Sequence, residues 1–430
     1  MSIYYDNRLY LFIPICCIIF WFIFCLLTYS LDKNDYETFY FVGIAIREDP
    51  NTIYSLKHCG VYVYTPFFAF ISSFTFSLIP FLLGFFILVL INLFLAIISI
   101  IQFDNILKLL EVKEKAFRLL FLIVISNGYI VFGQFSLAQT KYIVLTILLF
   151  IIKREIKYRK GHLTKTFKYY FINYFLLMVI LGLAPYLIFL VAIYLFNDIN
   201  FKDLIKKEQI KKYIMICSIF IIQNFHFVLF PQLIFGFLQG FNRPTDDRRK
   251  LKIMLYVNLI QVSTYEMFFI TILFTLILLA ISLILIINKN LTIERKFGYF
   301  CLGYLFFGVF SYVAILALVL LSIILFLYPE FLKNQKFGTE NLKINSLLLI
   351  GLISIMGISF FANWFIIMVI PSLYDADRLF FGIMEIIFHS GLLISLYFLY
   401  KFKRKSEDKK EVKITSIRRI SEFNNNKSSG

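Results

Sequence analysis

Long apolar runs alternate with short, mostly basic connectors along most of the chain. Runs of roughly 20 residues, the length a helix needs to cross a hydrocarbon core, occupy 10–30, 81–103, 215–238, 254–287, 346–371 and 379–400. The first of these is longer than a signal-peptide core and lacks a small-residue cleavage site, so it is read as a retained membrane anchor. Three other runs are interrupted: 117–152 at Gly133-Gln134, 169–196 at Ala184-Pro185, and 297–328 near Ser311-Tyr312. Each could be one long tilted helix or two short helices meeting at a corner; polar content there, and at 185 a proline that removes a backbone donor and strains the turn before it, favour the second. A half such as 170–183 rises only about 21 Å, less than a core of roughly 30 Å. Such helices persist only when packed on neighbours or lining a cavity. Residues 66–79, between Pro66 and Pro80, fit a re-entrant or interfacial helix. The pattern predicts an all-α, polytopic membrane bundle of roughly 10–12 transmembrane helices.

Composition agrees with that pattern and removes the soluble alternatives. Hydrophobic residues make up 60% of the 430 and charged residues 16%, against about 25% charged in an ordinary soluble domain. A soluble enzyme is excluded, because so little polar surface cannot cover the chain in water. Cys16, Cys17, Cys25, Cys59, Cys217 and Cys301 offer no disulfide framework or CxxC site. His58, His162, His226 and His389 have no companion ligand at helical spacing, so no metal site is assigned.

The net charge is +17, from 43 Lys and Arg against 26 Asp and Glu, and its distribution sets a topology. With the amino terminus cytoplasmic and the interrupted runs folded as hairpins, the inner loops and tail hold 31 basic residues and the outer loops eight. That is the positive-inside asymmetry. It reads the excess charge as an orientation signal and not as nucleic-acid binding. Residues 1–400 form the transmembrane domain, with a large first outer loop over 31–80, and 401–430 form a basic, disordered cytoplasmic tail.

In this topology the polar exceptions gather outside. The first loop holds Asp32, Asp35, Glu37, Glu48 and Asp49, then Tyr54 and the run Tyr62-Val63-Tyr64-Thr65-Pro66. Other outer corners hold Gln134, Arg243, Asp246, Asp247, Arg248, Arg249, Asp375, Asp377 and Arg378. Arginine forks bind phosphate oxygens and a carboxylate takes a hydroxyl proton, chemistry suited to a substrate that is half lipid and half phosphate. Loops facing water are polar in any case, and both readings stand on the residues alone. Glu266, inside an apolar helix, is a functional candidate by its cost there.

The run Asn34-Asp35-Tyr36, Phe39-Tyr40, Asp49-Pro50, Ile53-Tyr54 and Tyr64-Thr65-Pro66-Phe67-Phe68-Ala69, closing on Leu78-Ile79-Pro80, resembles the amino-terminal signature of glycosyltransferase family 87. Gly133-Gln134-Phe135-Ser136-Leu137 resembles that family's second mark, and the likeness covers roughly residues 1–200. The resemblance implies a GT-C fold and transfer of a sugar, mostly mannose, from polyprenyl phosphate to a glycolipid or glycoprotein acceptor. It implies that Asp35 is the base that takes the acceptor proton, with inversion at the anomeric carbon. Tyr36, Tyr62, Tyr64 and Pro66 would shape the substrate site, and Gln134 would hydrogen-bond sugar hydroxyls. The family's lysine before the proline of its third mark is absent from Gly182-Leu183-Ala184-Pro185. Arg243, Arg248 or Arg249 would then hold the phosphate. No cofactor is assigned, and assistance by a divalent cation is left open. The enzyme would be multi-pass in the cell membrane, or in the endoplasmic reticulum of a eukaryote, with its site on the extracytoplasmic face and membrane lipid around it. The competing class is a lipid or solute transporter or flippase, which broken helices and an intramembrane Glu266 also suit.

Overall fold

A computed structural model describes residues 9–28, 35–56, 62, 64–112, 115–126, 135, 138, 140–197, 206–242 and 264–307. All of these fall within one compact unit, Met1–Asn334. Every regular element among them is a helix. The corner near 311, the spans at 346–371 and 379–400, the pair Asp375 and Asp377, and the tail 401–430 lie outside the described residues.

Helix α1 (Leu9–Thr28) leads to α2 (Asp35–Glu48), a 3-10 turn (Pro50–Thr52), α3 (Pro66–Phe74) and a second 3-10 turn (Phe76–Leu78). The long α4 (Phe81–Leu109) follows, then α5 (Lys115–Ser126), α6 (Lys141–Arg159) and α7 (Phe167–Leu183). After a 3-10 corner (Pro185–Leu187) come α8 (Ile188–Phe196), α9 (Lys207–Gln223), α10 (Phe225–Leu229), α11 (Gln232–Asn242), α12 (Thr264–Ile287) and α13 (Ile293–Phe307). Among the described residues two helices are long and apolar enough to cross a membrane: α1 over Tyr10–Leu27, and α4. Neither is a core helix. Phe12, Leu27 and Phe94 are 64%, 80% and 61% exposed, and leaving such side chains in water forgoes about 1.5–3 kcal/mol each.

Side-chain pairs fix the direction of the helices. Ser99 on α4 hydrogen-bonds Thr146 on α6 at 2.8 Å, and just past the ends of the two helices Lys160 meets Glu111 at 2.9 Å, so the two run parallel. Arg154 on α6 donates to Asn173 on α7 at 2.7 Å, and Asn173 donates to Tyr194 on α8 at 2.6 Å. Asn173 and Tyr194 lie at similar distances from the Pro185 corner, so α7 and α8 form an antiparallel hairpin. Run 169–196 thus breaks where Pro185 predicts, and run 117–152 divides into α5 and α6. One expectation is corrected: 215–238 is not a single span. Asn224 ends α9, and Pro231 separates α10 from α11, because proline cannot continue the hydrogen-bond ladder.

This arrangement creates two ends. Tyr10, Asp104, Glu111, Arg118, Glu155 and Glu294 gather at one, called here the basic end. Tyr64, Lys141, Gly182 and Tyr186 gather at the other, the aromatic end. Helix α6 joins them: Lys141 opens it and Arg159 closes it.

Candidate functional site

At the aromatic end, α2 buries the face formed by Tyr36, Phe39, Val42, Ala45 and Ile46. This is the i, i+3, i+4 spacing of an amphipathic helix. It lies close on α3 and the turn after it. A Cβ on Gly43 would sit 2.8 Å from the Ser77 hydroxyl and 2.9 Å from the backbone of Ser72, so only glycine fits there. Ser72 donates to the Phe39 carbonyl at 2.6 Å. Arg47 crosses from α2 to donate to the carbonyls of Ser73 at 3.2 Å and Ser77 at 3.3 Å, satisfying acceptors that a helix end leaves open. Asp49 accepts from the Asn51 amide at 3.1 Å and caps the first 3-10 turn.

The Tyr-Thr-Pro run is held from both sides. The Tyr54 hydroxyl donates to the Tyr64 carbonyl at 3.0 Å, and that of Tyr62 to the Thr65 carbonyl at 2.8 Å. Burial pushes both phenols well above their ordinary pKa, and for Tyr62 the neighbouring Tyr54 adds to it. Pro66 is the first residue of α3, where its missing amide costs nothing. The Thr65 amide then donates to the Gly182 carbonyl at 3.2 Å, across more than a hundred residues of sequence. A Cβ on Gly182 would lie 3.0 Å from Phe67 and 3.2 Å from the Thr65 hydroxyl. The loop and the last turn of α7 are therefore seated on each other.

Lys141 completes the convergence. Its ammonium stands 5.2 Å from the centre of the Tyr64 ring and 5.3 Å from that of Tyr186. Each such contact is worth about 0.5–2 kcal/mol. Tyr64 also meets Phe39 edge-on at 5.3 Å. From the other side α11 closes on the loop. The Gln232 side chain donates to Asn51, and Tyr54 lies against Gly236, with Phe237 at 5.9 Å.

Of the sequence-predicted residues, Tyr36, Tyr62, Tyr64 and Pro66 are all buried and share this end. Tyr36 is 0% exposed among Tyr40, Phe76, Phe81 and Phe85. Its hydroxyl rests against Gly84 and has no hydrogen-bond partner among the described residues. Burial, with Tyr40 beside it, raises its pKa. Asp35 is the first residue of α2, one helical turn before Phe39; its side chain is outside the described residues, as is that of Glu266. Gln134, Arg243, Arg248 and Arg249 also lie outside them, although Arg243 directly follows the last residue of α11. Among the described residues no group of three His, Cys, Asp or Glu side chains could hold a metal.

Sequence reasoning missed Lys141, which it counted as part of an apolar run. Its signal was Thr140-Lys141 opening a helix, where a cation is the less favoured charge. Arg47 was missed as well, since nothing local announces a partner some thirty residues away. No known family model matches the chain, and a search of curated proteins finds no match either.

Proposed function

We propose that the protein is a polytopic membrane glycosyltransferase that moves a sugar, mannose first, from a polyprenyl phosphate to a glycolipid or glycoprotein acceptor. Asp35 takes the acceptor's hydroxyl proton as its oxygen attacks the anomeric carbon. The bond from that carbon to the phosphate oxygen breaks, the polyprenyl phosphate leaves with its electron pair, and the centre inverts. Phosphate is a competent leaving group, so a base and an anion clamp suffice. The site faces the extracytoplasmic side of the cell membrane, or of the endoplasmic reticulum membrane in a eukaryote, and Gln134, Arg243, Arg248 and Arg249 border it.

The observation that carries this reading is the convergence of Tyr64-Thr65, Lys141 and Gly182 at one end of the helices. Tyr64-Thr65 and Gly182 belong to the first and third sequence marks, Lys141 lies four residues past the second, and α2 brings the backbone of Asp35 to one turn from Phe39, which touches Tyr64. Lys141 beside Tyr186 supports the reading further, because it stands a cation next to Pro185, where the third mark lacks its lysine.

Membranes carrying the protein, given radiolabelled polyprenyl-phosphate mannose, should move label into a lipid- or protein-linked product. Label that crosses sealed vesicles still attached to its polyprenyl phosphate would contradict transfer and favour the transporter.

A further inference from the structure

We propose that the amino terminus of α6 is a phosphate-binding site, built from Thr140, Lys141 and the first-turn amides, and walled by Tyr64 and Tyr186. The inference rests on the donor class proposed above and adds which residues hold its phosphate.

Three observations converge there. The first is electrostatic. Helix α6 runs 19 residues with no acid in its first turn, so its amino-terminal end carries the positive pole of the macrodipole, and the Lys141 and Tyr142 amides precede its first hydrogen bond, from Ile143 to the Thr140 carbonyl at 3.1 Å. Such an end is suited to an anion. The second is Thr140. It occupies the cap position, yet its side chain makes no cap hydrogen bond. The residue is 0% exposed and its hydroxyl has no partner among the described residues. A buried hydroxyl left unpaired is costly unless something arrives to bond it. The third is Lys141. Placing a cation at the positive end of a helix is unfavourable, and here two aromatic faces hold it there. Hydroxyl, ammonium and amides are all donors, and a phosphate monoester or diester is the acceptor-only group that can take several at once.

The part-exposed ring of Tyr186 favours a phosphate carried on an isoprenoid chain over free phosphate, since it offers apolar surface to the first isoprene unit.

Calorimetry on the purified full-length protein in detergent, with farnesyl phosphate as the probe and farnesol and inorganic phosphate as comparators, tests this. Farnesyl phosphate should bind and farnesol should not. Lys141→Gln should weaken binding by about tenfold or more, and Thr140→Val by roughly three- to tenfold. Lys141→Arg, which keeps the charge, should stay within a few-fold of wild type and shows that a loss in Lys141→Gln is not misfolding. Unchanged affinity in both Lys141→Gln and Thr140→Val overturns the site. Lys141-dependent binding of inorganic phosphate as tight as that of farnesyl phosphate keeps the anion site and overturns the lipid assignment. The assay needs no acceptor, so the two claims fail separately. Transfer without Lys141-dependent binding sinks only this site, and Lys141-dependent binding without transfer sinks only the reaction.

Discussion

The two ends of α6 differ in what their charged groups meet. At the basic end the acids are answered. Asp104, with a side chain 2% exposed, pairs with Lys108 at 2.6 Å and Arg118 at 3.2 Å, and Arg118 also donates to the Val112 carbonyl at 2.7 Å. Glu155 accepts from the hydroxyls of Tyr169 at 2.6 Å and Tyr194 at 2.5 Å, with Lys165 at 4.0 Å. Glu294 takes the Arg159 guanidinium. At the aromatic end, Thr140 and Tyr36 bury hydroxyls that no described residue bonds, and Lys141 stands beside the rings of Tyr64 and Tyr186. A satisfied network fixes how helices meet. Donors left over inside a fold are what a ligand can use.

That contrast can be broken from the basic end first, where the largest loss is expected. Asp104→Ala strips Arg118 of its buried counter-charge and should cost about 3–5 kcal/mol, read as a lower unfolding temperature in detergent. The double change Asp104→Leu with Arg118→Met should recover most of it. A double variant no more stable than Asp104→Ala would mean that the pair does not act as a closed unit.

A smaller effect is expected where α2 meets α4. A Cβ on Gly84 would lie 1.8 Å from the Tyr36 hydroxyl, so Gly84→Ala should destabilise by about 1–3 kcal/mol. Adding Tyr36→Phe should rescue it, because the clashing atom is removed and that atom has no hydrogen bond to lose. Tyr36→Phe alone should leave the melting temperature equal or higher. Failure of the rescue would show that the hydroxyl is not what Gly84 accommodates.

Glu155→Gln comes last in size. It keeps the shape, and its carbonyl oxygen can accept from both tyrosines as Oε1 does now, but the charge that strengthens those bonds and faces Lys165 is gone, so a loss of about 1–2 kcal/mol is expected in the same melt. A wild-type melting temperature would remove Glu155 from the structural network.

Much of this architecture is readable from the chain, for local reasons. Pro185 announces a broken helix because its effect on the backbone is local. Asp49-Pro50 announces a capped turn in the same way. Asn224 and Pro231 carried the same kind of signal, but their apolar neighbours masked it, and 215–238 reads as one span. What the chain conceals is long-range. Nothing near Thr65 says that Gly182 accepts its amide, and nothing near Lys141 says that Tyr64 and Tyr186 flank it. The basic connector 153–168 reads as an orientation signal, and within it Glu155 is the centre of a hydrogen-bonded cluster. Charge counts report which end of a helix a residue occupies and are silent on its partners.

On the proposed reading the aromatic end performs the chemistry and the basic end holds the helices together. Transfer from polyprenyl-phosphate mannose, normalised to folded protein, measured side by side for Asp35→Asn and Glu155→Gln tests it most directly. The account predicts that Asp35→Asn loses at least about 100-fold in rate at an unchanged melting temperature. Glu155→Gln should melt lower yet turn over within about twofold of wild type per folded molecule. Full transfer by Asp35→Asn, or a well-folded Glu155→Gln protein without activity, would contradict it.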